Sequence, residues 1–236
     1  MLKSKKKNRT KLILALDYKN ISSALYILNN INPQDCKIKI GLEMFIRFGP
    51  KFVQKVQNLG FDVFLDLKFF DIPNTVAKAV KSSADLGVWM ISLHAIGGEI
   101  MLQAAKNAIE IFKKDSPILI AVTILTSFND KSLSNLNFNN SIRSYVLNLS
   151  RIAKDCGMDG IVCPGTEVLN IKKNIGLDLK LITPGIRTPN YTKDDQKQTI
   201  TLKQAKEYGI NYIVIGRPIT ASTNPLTILR KILKKL

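Results

Sequence analysis

The chain has 236 residues, of which 45% are hydrophobic, and no apolar run approaches the ~18 residues of a membrane-spanning helix. Its formal net charge is +17, and its three cysteines have no metal-ligand spacing and leave one unpaired in any disulfide scheme. This composition predicts a reduced, cytoplasmic protein with a sizeable core and argues against a membrane-spanning protein or a disulfide scaffold.

The first ten residues, MLKSKKKNRT, are strongly basic. The apolar run that follows them is short, ends in an aspartate and lacks a cleavage-site pattern, so it is not a signal peptide. We therefore predict a basic N-terminal tail over residues 1–10 and one folded domain over residues 11–236.

Strand-like and helix-like periods then alternate along the chain. The predicted strands lie at 11–17, 37–41, 61–68, 88–94, 117–124, 159–163, 179–183 and 211–216. The predicted helices lie at 21–31, 50–59, 74–86, 98–113, 141–156, 165–175, 201–208 and 225–235. The polar segments 127–140 and 187–199 predict long loops, the first with about one turn of helix. Eight strands alternating with eight helices predict a single-domain (β/α)8 barrel, the TIM barrel.

In such a barrel, the side chains at the C-terminal ends of the strands face the functional site. This rule selects ten residues without any further information: Asp17, Lys39, Asp66, Lys68, His94, Thr123, Thr126, Thr183, Gly216 and Arg217.

The stretch FLDLKFFDIPNTV, residues 64–76, holds the densest group of charged side chains at a predicted strand end. Asp66 and Lys68 alternate with leucines, so they share one face of the strand, and Asp71 follows three positions later. A solvated ion pair on an edge strand is one interpretation of this spacing. In a β/α alternation both strand faces are usually covered, which favours a functional site. The Ile72-Pro73 pair predicts an extended turn before a helix that Asn74 or Thr75 would cap.

The segment DLKFFDIPNT resembles the D-x-K-x-x-D-I-P-x-T signature of the orotidine 5′-phosphate decarboxylase family. Six other segments resemble their counterparts in the same order, from about residue 11 to the C-terminus, in the pattern of the bacterial branch. These segments are ALD at 15–17, IKIGLEMF at 38–45, DLGVWMISLHAIGG at 85–98, TILTS at 123–127, TPGIR at 183–187 and VIGRPIT at 214–220.

The resemblance implies decarboxylation of orotidine 5′-monophosphate (OMP) to UMP and CO2, the last step of de novo pyrimidine nucleotide synthesis, without a metal or an organic cofactor. It implies a catalytic array of Lys39, Asp66, Lys68 and Asp71, in which Lys68 protonates C6 of the pyrimidine. It also implies a homodimer, because Asp71 and Thr75 would serve the site of the neighbouring subunit.

The substrate-binding residues implied by the resemblance include two members of the array and a phosphate-binding glycine–arginine pair. They are Asp17, Lys39, Asp66, Thr75, Thr126, Arg187, Gln196, Gly216 and Arg217. Among them, Gly216 would let the backbone approach an anion, and Arg217 can form bidentate hydrogen bonds to a phosphate. The family does not use the single histidine, His94, as its proton donor, so we interpret His94 as a site-wall or a structural residue.

Two other functions remain open at this stage. A 3-keto-gulonate 6-phosphate decarboxylase would share the D-x-K-x-x-D core but use magnesium; the Ile72-to-Thr75 continuation, Thr126 and Gln196 argue against it. The charge of +17 also permits nucleic-acid binding. No aromatic residues interleave with the basic clusters at either end of the chain, so we expect no nucleic-acid partner. Without a long apolar segment we also expect no membrane partner.

Overall fold

The computed structural model describes residues 10–187 and 198–236. Eight parallel strands close into a barrel in the order β1-β10-β7-β6-β5-β4-β3-β2, which confirms the predicted fold class. The barrel strands are β1 Lys11–Ala15, β2 Lys37–Gly41, β3 Val63–Phe69, β4 Met90–His94, β5 Ile118–Val122, β6 Gly160–Val162, β7 Lys180–Thr183 and β10 Tyr212–Ile215.

Helices cover the outside of the barrel and return the chain from the end of one strand to the start of the next. The α-helices are α1 Ile21–Leu28, α2 Leu42–Asn58, α3 Pro73–Asp85, α4 Gly98–Ala108, α5 Asp130–Ser134, α6 Ile142–Asp155, α7 Val168–Asn174, α8 Leu202–Glu207, α9 Arg217–Thr220 and α10 Pro225–Leu233. Short 3-10 turns lie at Ala95–Gly97, Glu110–Asp115 and Gly165–Glu167.

The helix boundaries differ from the prediction at three places where a local signal was misread. Helix α2 is interrupted at Gly49, whose φ of 61° is not helical; the segment that resumes at Pro50 matches the predicted start at residue 50, whereas the helical segment 42–48 before it was not predicted. The helix predicted over 98–113 ends at Ala108 and continues only as a 3-10 turn. Helix α3 begins at Pro73, whose fixed φ suits the first helical position, so the prediction that Asn74 or Thr75 caps it is wrong.

Two loops at the C-terminal end of the barrel contain short elements in addition to the eight predicted strands and eight predicted helices. The first loop contains α5, capped by Asn129, as the prediction of one helical turn over 127–140 anticipates. The second holds a pair of two-residue strands, β8 Ile186–Arg187 and β9 Ile200–Thr201, which run parallel to each other outside the barrel. Neither strand was predicted, since two residues carry no detectable period. Within the described residues, no helix is both long and apolar enough to cross a membrane.

The two faces of each barrel strand contact different cores. The outer faces pack against the helices in one extensive cluster, to which Ile38 and Ile40 of β2 belong. A smaller cluster fills the barrel interior: Ile13, Phe64, Met90, Ile120 and Ile182. Because successive side chains of a strand point to opposite faces, β2 directs its lysines toward the interior while its isoleucines face the helices. The interior cluster therefore separates the two ends of the barrel.

Candidate active site

A cavity of about 280 Å³ opens at the C-terminal ends of the barrel strands. Its charged lining comes from strand ends and the turns that follow them: Asp17, Lys39, Asp66, Lys68 and Arg217. Apolar side chains from the remaining strands complete the wall, including Phe64, Val122, Ile182, Val214 and Pro218. A mostly apolar pocket with a few convergent charges is the usual form of a small-molecule site.

An irregularity in β3 brings the central charges together. β3 pairs in register with β4 at Leu65 and again at Phe69, whereas the partner residues advance only from Ile91 to Leu93. Three residues of β3 therefore lie opposite one residue of β4. Within this bulge the backbone of Lys68 has φ 52°, a left-handed conformation that costs about 1–2 kcal/mol for a residue with a Cβ atom.

The carboxylate of Asp66 accepts hydrogen bonds from Lys68 and forms ion pairs with both Lys68 and Lys39. Lys68 Nζ lies 2.9 Å from both carboxylate oxygens of Asp66, and Lys39 Nζ lies 3.3 Å from Oδ2. Lys39 Nζ is also 3.9 Å from Oδ1 of Asp17, which extends the array toward the first strand. Ser92, on β4, donates a hydrogen bond of 2.8 Å to Asp66 Oδ1.

Asp66 is buried, with 6% of its surface exposed. Burial by itself would raise the pKa of its carboxyl group. The ammonium groups of Lys39 and Lys68, together with hydrogen bonds from Lys68 and Ser92, outweigh burial and lower the pKa below its ordinary value of 3.8. The carboxylate is therefore ionised at neutral pH, which makes the array a fixed alternation of positive and negative charge.

The turn after β10 forms another part of the cavity wall. A Cβ atom at Gly216 would lie 2.6 Å from Oδ2 of Asp17 and 3.2 Å from Cβ of Ala15, so a larger residue there would have to displace the aspartate side chain. Arg217 follows directly and also lines the cavity. A guanidinium beside a backbone that a ligand can approach closely is suited to binding a phosphate group.

Of the described site residues that the family resemblance implies, seven line the cavity and three do not. Asp17, Lys39, Asp66, Lys68, Thr126, Gly216 and Arg217 all line the one cavity. Asp71 and Thr75 are exposed on the turn and first helical residues after β3 and do not line the cavity of their own chain. Arg187 is exposed at the end of β8, and Gln196 lies outside the described residues, as do residues 1–9 of the predicted tail.

Three residues selected by the general barrel rule do not line the cavity. Thr123 is buried and donates to the carbonyl of Val162 at 2.9 Å, and Thr183 is fully buried. His94 is half-buried, with its ring edge-on to Phe70 at a centroid distance of 6.2 Å. Burial and the nearby charge of Lys68 lower the pKa of His94 from its ordinary 6.5, although Asp66 acts in the opposite direction. A neutral, aromatic-packed His94 agrees with its interpretation as a structural residue.

Ser92 is the residue at the array that the sequence analysis missed. It is fully buried, donates to Asp66 and accepts a hydrogen bond of 3.0 Å from the backbone N–H of Lys68. Its only sequence signal is a single hydroxyl among the apolar residues that precede His94 in the MISLH strand. Among the described residues, no three His, Cys, Asp or Glu side chains are grouped so that they could hold a metal ion.

Relatives that carry the same name match this chain over nearly its whole length. A relative named orotidine 5'-phosphate decarboxylase from Buchnera aphidicola subsp. Acyrthosiphon pisum (strain Tuc7) is 53% identical over 226 residues, which are 96% of this chain and 95% of the relative. A relative of the same name from Escherichia fergusonii is 48% identical over 221 residues, covering 94% of this chain and 90% of the relative.

A solved structure agrees with the sequence comparison. The crystal structure of orotidine 5'-phosphate decarboxylase from Lactobacillus acidophilus superposes with a TM-score of 0.83 at 38% identity, covering 96% of this chain and 98% of the other. The family model described as Orotidine 5'-phosphate decarboxylase / HUMPS family matches residues 10–232. This chain therefore belongs to the orotidine 5'-phosphate decarboxylase / HUMPS family.

Proposed function

We propose that this protein is a carboxy-lyase that decarboxylates OMP to UMP and CO2, as the last step of de novo pyrimidine nucleotide synthesis in the cytoplasm. The observation that carries the proposal is the Lys39–Asp66–Lys68 array on the wall of a cavity that Gly216 and Arg217 also line. The array suits a reaction that develops negative charge on a ring carbon, and the glycine–arginine turn suits a phosphate. Full-length similarity to relatives that carry this name supports the same substrate.

Lys68 is proposed to supply the proton. When the bond between C6 and the carboxylate breaks, CO2 departs and the electron pair stays on C6, in an orbital that the ring cannot delocalise well. The ammonium group of Lys68 stabilises this charge and donates a proton to C6, and solvent returns a proton to the lysine. Its bidentate contact with Asp66, at 2.9 Å to each oxygen, supports a fixed position for this donor.

Asp66 is proposed to lie beside the carboxylate that leaves. Two like charges in a confined site repel each other, and the repulsion is relieved when neutral CO2 departs. The lowered pKa of Asp66 supports this role, because the side chain keeps its charge even though it is buried. Lys39 holds Asp66 from the other side and links it to Asp17.

The remaining residues are proposed to bind the nonreacting parts of the nucleotide. Arg217 binds the phosphate, Asp17 accepts from a ribose hydroxyl, and Thr126 hydrogen-bonds the pyrimidine. Arg187 and Gln196 are proposed to add contacts to the phosphate and the base from the second long loop. The shared cavity of Asp17, Thr126 and Arg217 supports the first three assignments.

We propose that the active form is a homodimer in which Asp71 and Thr75 reach the site of the partner. Both residues are exposed and neither lines its own cavity. Next to Asp71, Phe70 and Ile72 are 61% and 67% exposed, an unusual state for large apolar side chains. Further exposed apolar residues follow the neighbouring strands β2 and β4: Leu42, Ile46, Ile96 and Ile100. An interface at this edge of the barrel would cover them.

Hybrid dimers test the shared site. Lys68→Ala and Asp71→Ala chains should each be inactive alone. Mixed one to one and allowed to exchange, they should regain about a quarter of wild-type turnover, because half the dimers are hybrids and each hybrid has one intact site. Sedimentation should give the mass of a dimer. If the two variants are shown to exchange chains but the mixture stays inactive, the shared site is contradicted.

OMP turnover with and without EDTA tests the activity and the proposed absence of a cofactor together. Loss of absorbance near the orotate band at an undiminished rate in EDTA supports decarboxylation without a metal. Absence of turnover, or turnover that requires magnesium, would contradict the proposal and favour a sugar-phosphate decarboxylase.

A further inference from the structure

The hydroxyl of Ser92 makes two hydrogen bonds, one to Asp66 and one to Lys68 of the catalytic array. Its hydroxyl donates to Asp66 Oδ1 at 2.8 Å and accepts from the backbone N–H of Lys68 at 3.0 Å. Because Lys68 Nζ also donates to Asp66 Oδ1, at 2.9 Å, the three residues form a closed ring of hydrogen bonds. The serine is fully buried, so water cannot substitute for it without repacking.

The ring coincides with the bulge in β3. Only Ser92 lies opposite the three residues between Leu65 and Phe69, so the regular main-chain ladder lacks partners there. The Ser92 hydroxyl replaces the missing backbone acceptor for the N–H of Lys68. It thereby stabilises the left-handed conformation of Lys68, φ 52°, which a lysine rarely adopts without such support.

The same hydroxyl completes the set of donors around the Asp66 carboxylate. Oδ1 accepts from Ser92 and Lys68, while Oδ2 accepts from Lys68 and is 3.3 Å from Lys39 Nζ. With every donor fixed, the carboxylate has one orientation and Lys68 has one direction of approach to the cavity. Preorganised charge of this kind is what lowers a barrier, because nothing needs to reorient as the reaction proceeds.

We propose that Ser92 is a positioning residue of the active site, whose hydroxyl holds the β3 bulge and so fixes the Lys68 ammonium against Asp66. This inference rests on the proposed function, since it assigns Ser92 a role in the chemistry of that array. Ser92 does not line the cavity, so it acts through Asp66 and Lys68 and not through the substrate. A purely structural serine would affect stability without separating turnover from binding.

Ser92→Ala tests the inference, with Ser150→Ala as its matched control. Ser150 is also fully buried, but its hydroxyl donates to the Val146 carbonyl inside α6, away from the array. For Ser92→Ala we expect kcat for OMP to fall about 30-fold, from the loss of a hydrogen bond to a charged group. The Kd for UMP, measured by calorimetry, should change less than about threefold, since the phosphate contacts remain. Both variants should lower the melting temperature to a similar extent, but Ser150→Ala should leave kcat unchanged.

A crystal structure of Ser92→Ala supplies a measurement that needs no turnover. We expect Lys68 to leave its left-handed conformation and its Nζ to move out of hydrogen-bond distance of Asp66. An unchanged bulge, or a kcat within about twofold of wild type, would overturn the role of Ser92. Wild-type protein that does not turn over OMP would instead contradict the proposed function, and the crystal structure would still decide the positioning role.

Discussion

The two ends of the barrel each hold a lysine–aspartate pair, and they differ in what surrounds it. At the N-terminal end, Lys37 pairs with Asp62 and lies over the ring of Trp89, 5.7 Å from its centroid. At the C-terminal end, Lys39, two residues along the same strand, pairs with Asp66. The interior cluster that includes Phe64 separates the two pairs.

The N-terminal pair lies beside packed aromatic rings, whereas the C-terminal pair faces a cavity. Trp89 and Tyr212 pack edge to face at 5.2 Å between centroids, and Asp62 remains half exposed to solvent. Asp66, in contrast, has an 8% exposed side chain and contacts a second lysine. The same residue types thus form a solvated, stabilising contact at one end and a desolvated, polarised array at the other. Four substitutions test this contrast, from the largest expected effect to the smallest.

Lys68→Ala removes the proposed proton donor and should have the largest effect. We expect kcat to fall by about ten thousand-fold or more, because both the proton and the cation beside C6 are lost. Nucleotide binding should largely survive, since the phosphate contacts are intact. Single-turnover kinetics with OMP and calorimetry with UMP measure the two quantities. Near-normal turnover would contradict the mechanism.

Lys39→Met should reduce kcat/KM by about a hundred-fold, because Asp66 loses one of its two cations. Lys39 favours the charged form of Asp66, so its removal should raise the pKa of that carboxyl. The acidic limb of the kcat/KM profile should therefore move to higher pH. A pH series from about 2.5 to 8 measures the shift, because the pKa of Asp66 in the wild type lies below its ordinary 3.8. An unmoved limb would argue against Lys39 as a partner of Asp66 in the reaction.

Arg217→Ala should chiefly weaken binding. We expect KM to rise about 10- to 100-fold from the loss of charge-assisted hydrogen bonds to the phosphate, with a smaller fall in kcat. Part of the loss can appear in kcat, because binding energy from a nonreacting group can be used at the reacting carbon. Steady-state kinetics with OMP separate the two parameters. Wild-type KM in this variant would mean that the phosphate binds elsewhere.

Lys37→Met makes at the N-terminal end the same change that Lys39→Met makes at the C-terminal end. We expect kcat and KM to be unchanged and the free energy of unfolding to change by about 1 kcal/mol or less, because Asp62 is solvated and the pair is partly exposed. Urea unfolding followed by the fluorescence of Trp89, the only tryptophan, measures the stability. A loss of turnover in this variant would erase the functional contrast between the two ends.

The sequence by itself determined the barrel and most members of the site. Alternating periods predict the strands and helices, and the rule that C-terminal strand ends face the site selects Asp17, Lys39, Asp66 and Lys68. These features are local, because periodicity and chain order do not depend on distant contacts. The resemblance of DLKFFDIPNT to a family signature pointed to the same residues, and the comparisons confirm the family.

Only the tertiary structure decided how the charges are held. Strand periodicity places Asp66 and Lys68 on one face, but the left-handed backbone of Lys68 is hydrogen-bonded to a hydroxyl that lies 24 residues away in sequence. The direction of the Asp66 pKa likewise depends on a balance between burial and cations from neighbouring strands. Register between strands is a long-range property, because it depends on which residues meet across the barrel, and one-dimensional patterns do not record it.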